Sequence, residues 1–104
     1  MIICTTPNLE GKRIVETFGL VSGNTIRARH MGTDIKAGLR DVIGGELKGY
    51  TKMLSEAREE AIQRMVKEAE KLGANAIMSF RFSTSTIRVG SAEILAYGTA
   101  VKVE

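Results

Sequence analysis

Cys4 and His30 are the chain's one thiol and one imidazole, and they bound the metal chemistry open to it. A structural zinc site takes four ligands, usually Cys or His, from one chain. Two cannot close it. The metal reading that remains is a soft divalent ion shared by equivalent Cys4 thiols, one from each subunit of an oligomer. Against it stands a plainer reading, in which Cys4 is a small buried strand residue. No Ser/His/Asp arrangement can be argued around a lone histidine without a partner motif. Gly11-Lys12 and Gly44-Gly45 lack the spacing of a P-loop or a dinucleotide fingerprint. Asp34 and Asp41, seven residues apart, could pair as carboxylates on one helix face, although capping and solvation account for them. Arg27, Arg29, Lys36 and Arg40 form a small basic group. Without interleaved aromatic residues it is a weak nucleic-acid signal. The five methionines are scattered, and Met65 and Met78 read as core filling.

The composition fits one domain over residues 1–104, with 43% apolar and 26% charged residues. No apolar run approaches the length of a membrane span. The first residues, MIICTTPNLEG, have neither a basic region nor a long apolar stretch, so no signal peptide is expected there. A single cysteine excludes an internal disulfide and suits a reducing compartment, so a cytoplasmic location is expected. The net charge is +3 and the basic residues are spread along the chain, as on a solvated surface.

These residues must be positioned by the stretch from Tyr50 to Asn75. Tyr50, Leu54, Ala57, Ala61, Met65, Ala69 and Leu72 recur at steps of three and four and predict one long amphipathic helix. Glu60 precedes Arg64 by four residues, the favourable order for an ion pair. Lys71 suits the last turn, and Gly73 supplies the left-handed stop. Strands are predicted at residues 2–5, 12–18, 25–30, 76–87 and 93–103. Gly19 is expected to break the second of these, and Ser22-Gly23-Asn24 to turn or bulge the chain. A shorter helix is expected from Asp34 to Ile43, capped by Thr33 or Asp34 and ended by Gly44-Gly45. Glu46 to Gly49 reads as a loop. In the 76–87 strand, Met78, Phe80 and Phe82 alternate with Ser79, Arg81, Ser83 and Ser85. In the last strand, Ala96, Gly98 and Ala100 share a face small enough for the alanines of the long helix to approach. The fold expected is α+β: a small two-layer domain with a mainly antiparallel sheet, one long helix and one short one.

Read as a whole, the chain resembles a known family. The ordered set Thr5-Thr6-Pro7, Glu10-Gly11-Lys12-Arg13-Ile14-Val15-Glu16, Gly19, Val21-Ser22-Gly23, Asp34, Arg40-Asp41-Val42-Ile43-Gly44-Gly45, Tyr50, Ala57-Arg58, Gly73-Ala74-Asn75-Ala76 and Gly98-Thr99-Ala100-Val101 is similar to that of the YbjQ proteins of bacteria and archaea. The resemblance implies a dodecin-like subunit and a ring-shaped homopentamer with strands between subunits. It carries the label "putative heavy-metal-binding" and no enzymatic activity. The chain departs from the family pattern after Gly-Ala-Asn-Ala. Arg81, Ser83 and Ser85 stand where acidic residues are common, so oxygen ligands for a cation are missing there. Glu46 stands where the family tends to have arginine after Gly-Gly. This double reversal of charge raises the expectation of a Glu46–Arg81 ion pair, weighed against two independent surface substitutions. Cys4 replaces a common hydroxyl residue and inherits no family role.

The function expected is that of a non-enzymatic homo-oligomer, most simply a pentamer, binding a metal ion or small ligand at subunit interfaces. The alternative is a structural or partner-binding module without a metal. Nucleic acid comes after both, and no membrane partner is expected.

Overall fold

The computed structural model describes residues 1–28, 42–43, 46–88 and 90–104. In chain order the elements are β1 (Ile2–Ile3), β2 (Ile14–Ala28), β3 (Val42–Ile43), β4 (Glu46–Leu47), α1 (Lys48–Leu72), β5 (Ala76–Arg88) and β6 (Ser91–Val103). The main sheet has the order β1-β5-β6-β2. It is mixed: β1 runs parallel to β5, while β5 and β2 flank β6 antiparallel. A separate small ladder pairs β3 with β4. The domain is thus α+β, with α1 laid across one face of a four-stranded sheet.

The helix follows its apolar period. Ala57, Ala61, Met65 and Ala69 are fully or almost fully buried, and Ile62 and Val66 pack beside them. Leu72, expected on the same stripe, is instead 47% exposed, because the chain turns away there. Gly73 has φ +89°. Its N–H donates to the Glu70 carbonyl, and the Ala74 N–H donates to the Ala69 carbonyl. This is the paired closure of a Schellman stop. The chain then enters β5 through Asn75. The Asn75 side chain bonds both the N–H and the carbonyl of Val103, at 2.8 and 2.9 Å, in place of a strand rung.

The expected approach of small residues is present. Ala96 and Ala100 of β6 share one core with the helix alanines, Val21, Ile77 and Ile94. The tightest point lies on β2, where the sequence suggests a turn or bulge at Ser22-Gly23-Asn24. There β2 runs straight through, Gly23 pairing with Ala96. A Cβ on Gly23 would lie 2.3 Å from the Ala61 carbonyl oxygen and 2.4 Å from the Met65 nitrogen. Helix backbone therefore rests on strand backbone, and only a missing side chain permits it. Gly19 does not end β2 either. It takes φ +106° at a register shift, a bulge within a continuing strand.

β5 carries the other correction. Met78 pairs with Thr99, but the next pair is Arg81 with Tyr97, so one extra residue is inserted. Ser79 absorbs it with φ +53°. A one-residue slip reverses the faces of a strand. Met78 therefore packs with Val101 on the face away from the helix, whereas Phe80 packs against the helix-side core. Phe82 pairs with Ala96 on that same helix side, with its ring edge-on to Phe80 at 4.9 Å. Met78, Phe80 and Phe82 do not share one face, as simple alternation predicts.

The expected short helix from Asp34 to Ile43 falls mostly outside the described residues. Its last two, Val42–Ile43, are strand and pair with Glu46–Leu47, so the expected loop at Glu46 begins as strand. No helix among the described residues is long and apolar enough to cross a membrane.

Candidate functional site

The parallel pairing of Ile2 with Ala76 and Ile3 with Ile77 aligns the N-terminus with the start of β5. Cys4 continues this pairing. Its N–H donates to the Ile77 carbonyl, and its carbonyl accepts from the Phe80 N–H, so it spans the Ser79 bulge. The parallel register sets the Cys4 side chain beside that of Met78. Cys4 Sγ lies 3.5 Å from Met78 Sδ. The Thr6 hydroxyl approaches the same thiol at 3.4 Å, and the Thr6 carbonyl stands 3.5 Å away. Beneath them Ala76, Val101 and Val103 make a small buried cluster, with Leu9 packed on it. The Met78 thioether is almost fully buried and the Cys4 thiol is half-buried.

Two sulfur atoms thus converge, one from a thiol and one from a thioether. Both are soft donors. Cys4 was legible in the sequence as a candidate; Met78 was not, since it reads as core filling. The two stand 74 residues apart, and only the β1–β5 pairing brings them together. Among the described residues, no three His, Cys, Asp or Glu side chains gather as a metal site. His30, Asp34 and Asp41 lie outside the described residues, as do Arg29, Lys36 and Arg40 of the basic group.

Arg81 stands just past the bulge and reaches back toward the N-terminal segment. Its guanidinium donates to the Thr5 carbonyl at 2.9 Å and to the Phe80 carbonyl at 2.7 Å. It therefore ties the segment carrying Cys4 to β5. The side chain of Glu46, its expected ion-pair partner, is outside what the structure describes. Ser83 and Ser85 are exposed on the same strand.

Arg27, the described member of the basic group, is already engaged. It pairs with Glu60, which also holds Arg64 in the helical pair expected from their spacing. Arg64 donates as well to the Asn24 carbonyl at 2.6 Å. The Thr25 hydroxyl donates to the Ala57 carbonyl at 2.9 Å from a buried position. These contacts lock α1 across β2.

A second feature has no counterpart in the sequence reading. A cleft of about 340 Å³ opens between the first half of α1 and the far half of β5 and β6. The helix contributes Leu54 and Arg58 to it. The strands contribute Thr84, Ser85, Thr86, Ala92 and Ile94.

Comparison with known proteins agrees with this architecture. The YbjQ family model, described as "Putative heavy-metal-binding", matches residues 1–104. A UPF0145 protein of Methanosarcina acetivorans is 59% identical over 103 residues, which are 99% of this chain and 97% of that one. A UPF0145 protein of Thermotoga maritima is 59% identical over 104 residues, covering 100% of this chain and 98% of its own length. Among solved structures, a DUF74-family protein of unknown function from Pediococcus pentosaceus superposes with a TM-score of 0.64 at 18% identity. The match covers 100% of this chain and 98% of that one, and the likeness is one of fold.

Proposed function

Because the chain belongs to the YbjQ family, we propose that it is a non-enzymatic homo-oligomer that holds a soft metal ion at Cys4. The observation that carries this reading is the 3.5 Å approach of Cys4 Sγ to Met78 Sδ. A thiolate beside a thioether is the donor set of a soft ion of low coordination number, such as copper(I). It does not fit a closed four-ligand zinc site within one chain. Cys4 and Met78 would be the protein's two ligands in each subunit. A neighbouring subunit's equivalent thiol would complete the coordination, as the expected ring assembly allows.

Three features support assembly. Leu20 and Ile26, on the sheet face away from the helix, are 74% and 57% exposed. Among the described residues, β5 has no strand partner on its outer edge from Arg81 onward, because β1 pairs only its first residues. Unpaired strand edges invite pairing with another chain. The Cα radius of gyration, 17.1 Å, exceeds the roughly 13 Å of a compact chain this long. A pentamer remains the expected stoichiometry, by resemblance to the family.

Native mass spectrometry of untagged protein tests stoichiometry and retained metal together. Anaerobic titration with copper(I) tests the site itself. Saturable binding that Cys4→Ser abolishes and Met78→Leu weakens is the expected result. Binding by the Cys4→Ser variant equal to that of the unaltered protein would overturn the assignment. A stable oligomer that takes up no copper(I) would favour the partner-binding module, for which the bare edge of β5 speaks.

A further inference from the structure

We propose that the cleft between the first half of α1 and the β5–β6 hairpin binds a small carboxylate with an apolar tail. This site is separate from Cys4. The cleft lies on the helix side of the sheet, whereas Cys4 packs with Met78 on the opposite side. Its volume of about 340 Å³ falls within the range of small-molecule pockets. A neighbouring hollow of about 170 Å³ shares Leu54, Thr86 and Ala92 with it, so the two form one trough.

The lining divides by chemistry. Ile94 is buried to 1% exposure and, with Leu54 and Ala92, makes an apolar floor. Thr84 and Thr86 pair with Ile94 and Ala92, so their side chains belong to the same face of the sheet. Arg58 supplies the cation. Its guanidinium donates to Ser55 Oγ at 3.2 Å and meets no carboxylate among the described residues. Glu60, two residues on, is already shared between Arg27 and Arg64. Among the described residues Arg58 is thus a planar fork without a carboxylate partner, lining the cleft with two threonines, and suited to both oxygens of a carboxylate. A single guanidinium matches a monoanion better than a doubly charged phosphate ester. The apolar floor gives an alkyl tail a place that a bare anion would not use.

Octanoate is a suitable probe, with octanol and acetate as partial ligands. Backbone amide shifts of Thr84 to Thr86 and calorimetry on the assembled protein report the binding. Octanoate is expected to bind saturably, about tenfold or more tighter than either octanol or acetate. Arg58 is exposed, so Arg58→Gln leaves the fold intact; it should bring octanoate down to the affinity of octanol. Leu54→Trp should fill the trough and block octanoate, and Thr86→Val should weaken it without moving the melting temperature. Three results would overturn the proposal: no saturable shift with octanoate, equal affinity for octanol, or unchanged octanoate binding by Arg58→Gln. The first of these is also what a neighbouring subunit seated in the cleft would produce. Copper(I) binding at Cys4 is read separately, so failure of one site leaves the other measurable.

Discussion

Ala76, Ile77 and Met78 at the start of β5 are buried to 2% exposure or less, whereas every residue from Arg81 to Arg88 is exposed. The two halves belong to one strand and pair with one neighbour, β6. Pairing is therefore not what separates them. The first half has a cover on each face: α1 packs on Ile77, and Cys4 and Leu9 pack on Met78. It also has β1 on its outer edge. Past the Ser79 bulge no described strand pairs with the outer edge, and the helix leaves the cleft at Arg58. Strands of 13–15 residues exceed the usual 5–6, and the helix's buried alanines do not reach their far end. The lesson is that, among the described residues, the chain covers the first half of β5 and leaves the second half exposed. The sulfur pair sits at the border between the halves, and the carboxylate cleft lies in the bare half.

Substitutions can break this contrast, and the largest effect is expected beneath the helix. Gly23→Val would drive a side chain into the main chain of Ala61 and Met65, which cannot rotate aside. A loss of more than about 4 kcal/mol, or failure to fold, is expected in urea denaturation. A mild effect would show that the helix can lift off β2. Met65→Ala should cost about 2–5 kcal/mol by emptying a fully buried site, measured the same way. A smaller loss would mean that the core collapses around the gap.

At the helix–β2 lock the expected change is smaller. Arg27 and Glu60 are about one-third exposed, so solvent screens the pair. A double-mutant cycle of Arg27→Ala and Glu60→Gln should give a coupling of about 0.5–1 kcal/mol, falling with added salt. No coupling would remove this contact from the forces holding α1 down. In the bare half, Ser83→Ala should change stability by less than about 0.5 kcal/mol. A larger loss that grows with protein concentration would show that another subunit covers this surface, and would sharpen the contrast into one between intrachain and interchain packing.

The sequence by itself determined the long helix, its Gly73 stop, the Glu60–Arg64 pair and the meeting of alanine faces. Those features depend on spacing within a few residues and on side-chain size, so the chain carries them locally. It also singled out Cys4 as the soft-metal candidate by simple scarcity. The tertiary structure decided the rest. Gly23 reads locally as a turn signal, and only the helix crossing above it makes it a flat contact point inside a strand. The Ser79 bulge follows no local pattern: strict alternation through Met78, Phe80 and Phe82 is equally good sequence, and an extra residue shows only against the register of β6. That bulge sends Phe80 and Phe82 to the face opposite Met78, and the parallel β1–β5 pairing brings Met78 beside Cys4 across 74 residues. Periodicity is a property of neighbours along the chain, whereas register and parallel pairing are properties of two strands at once, so the sulfur pair came into being only when the sheet formed.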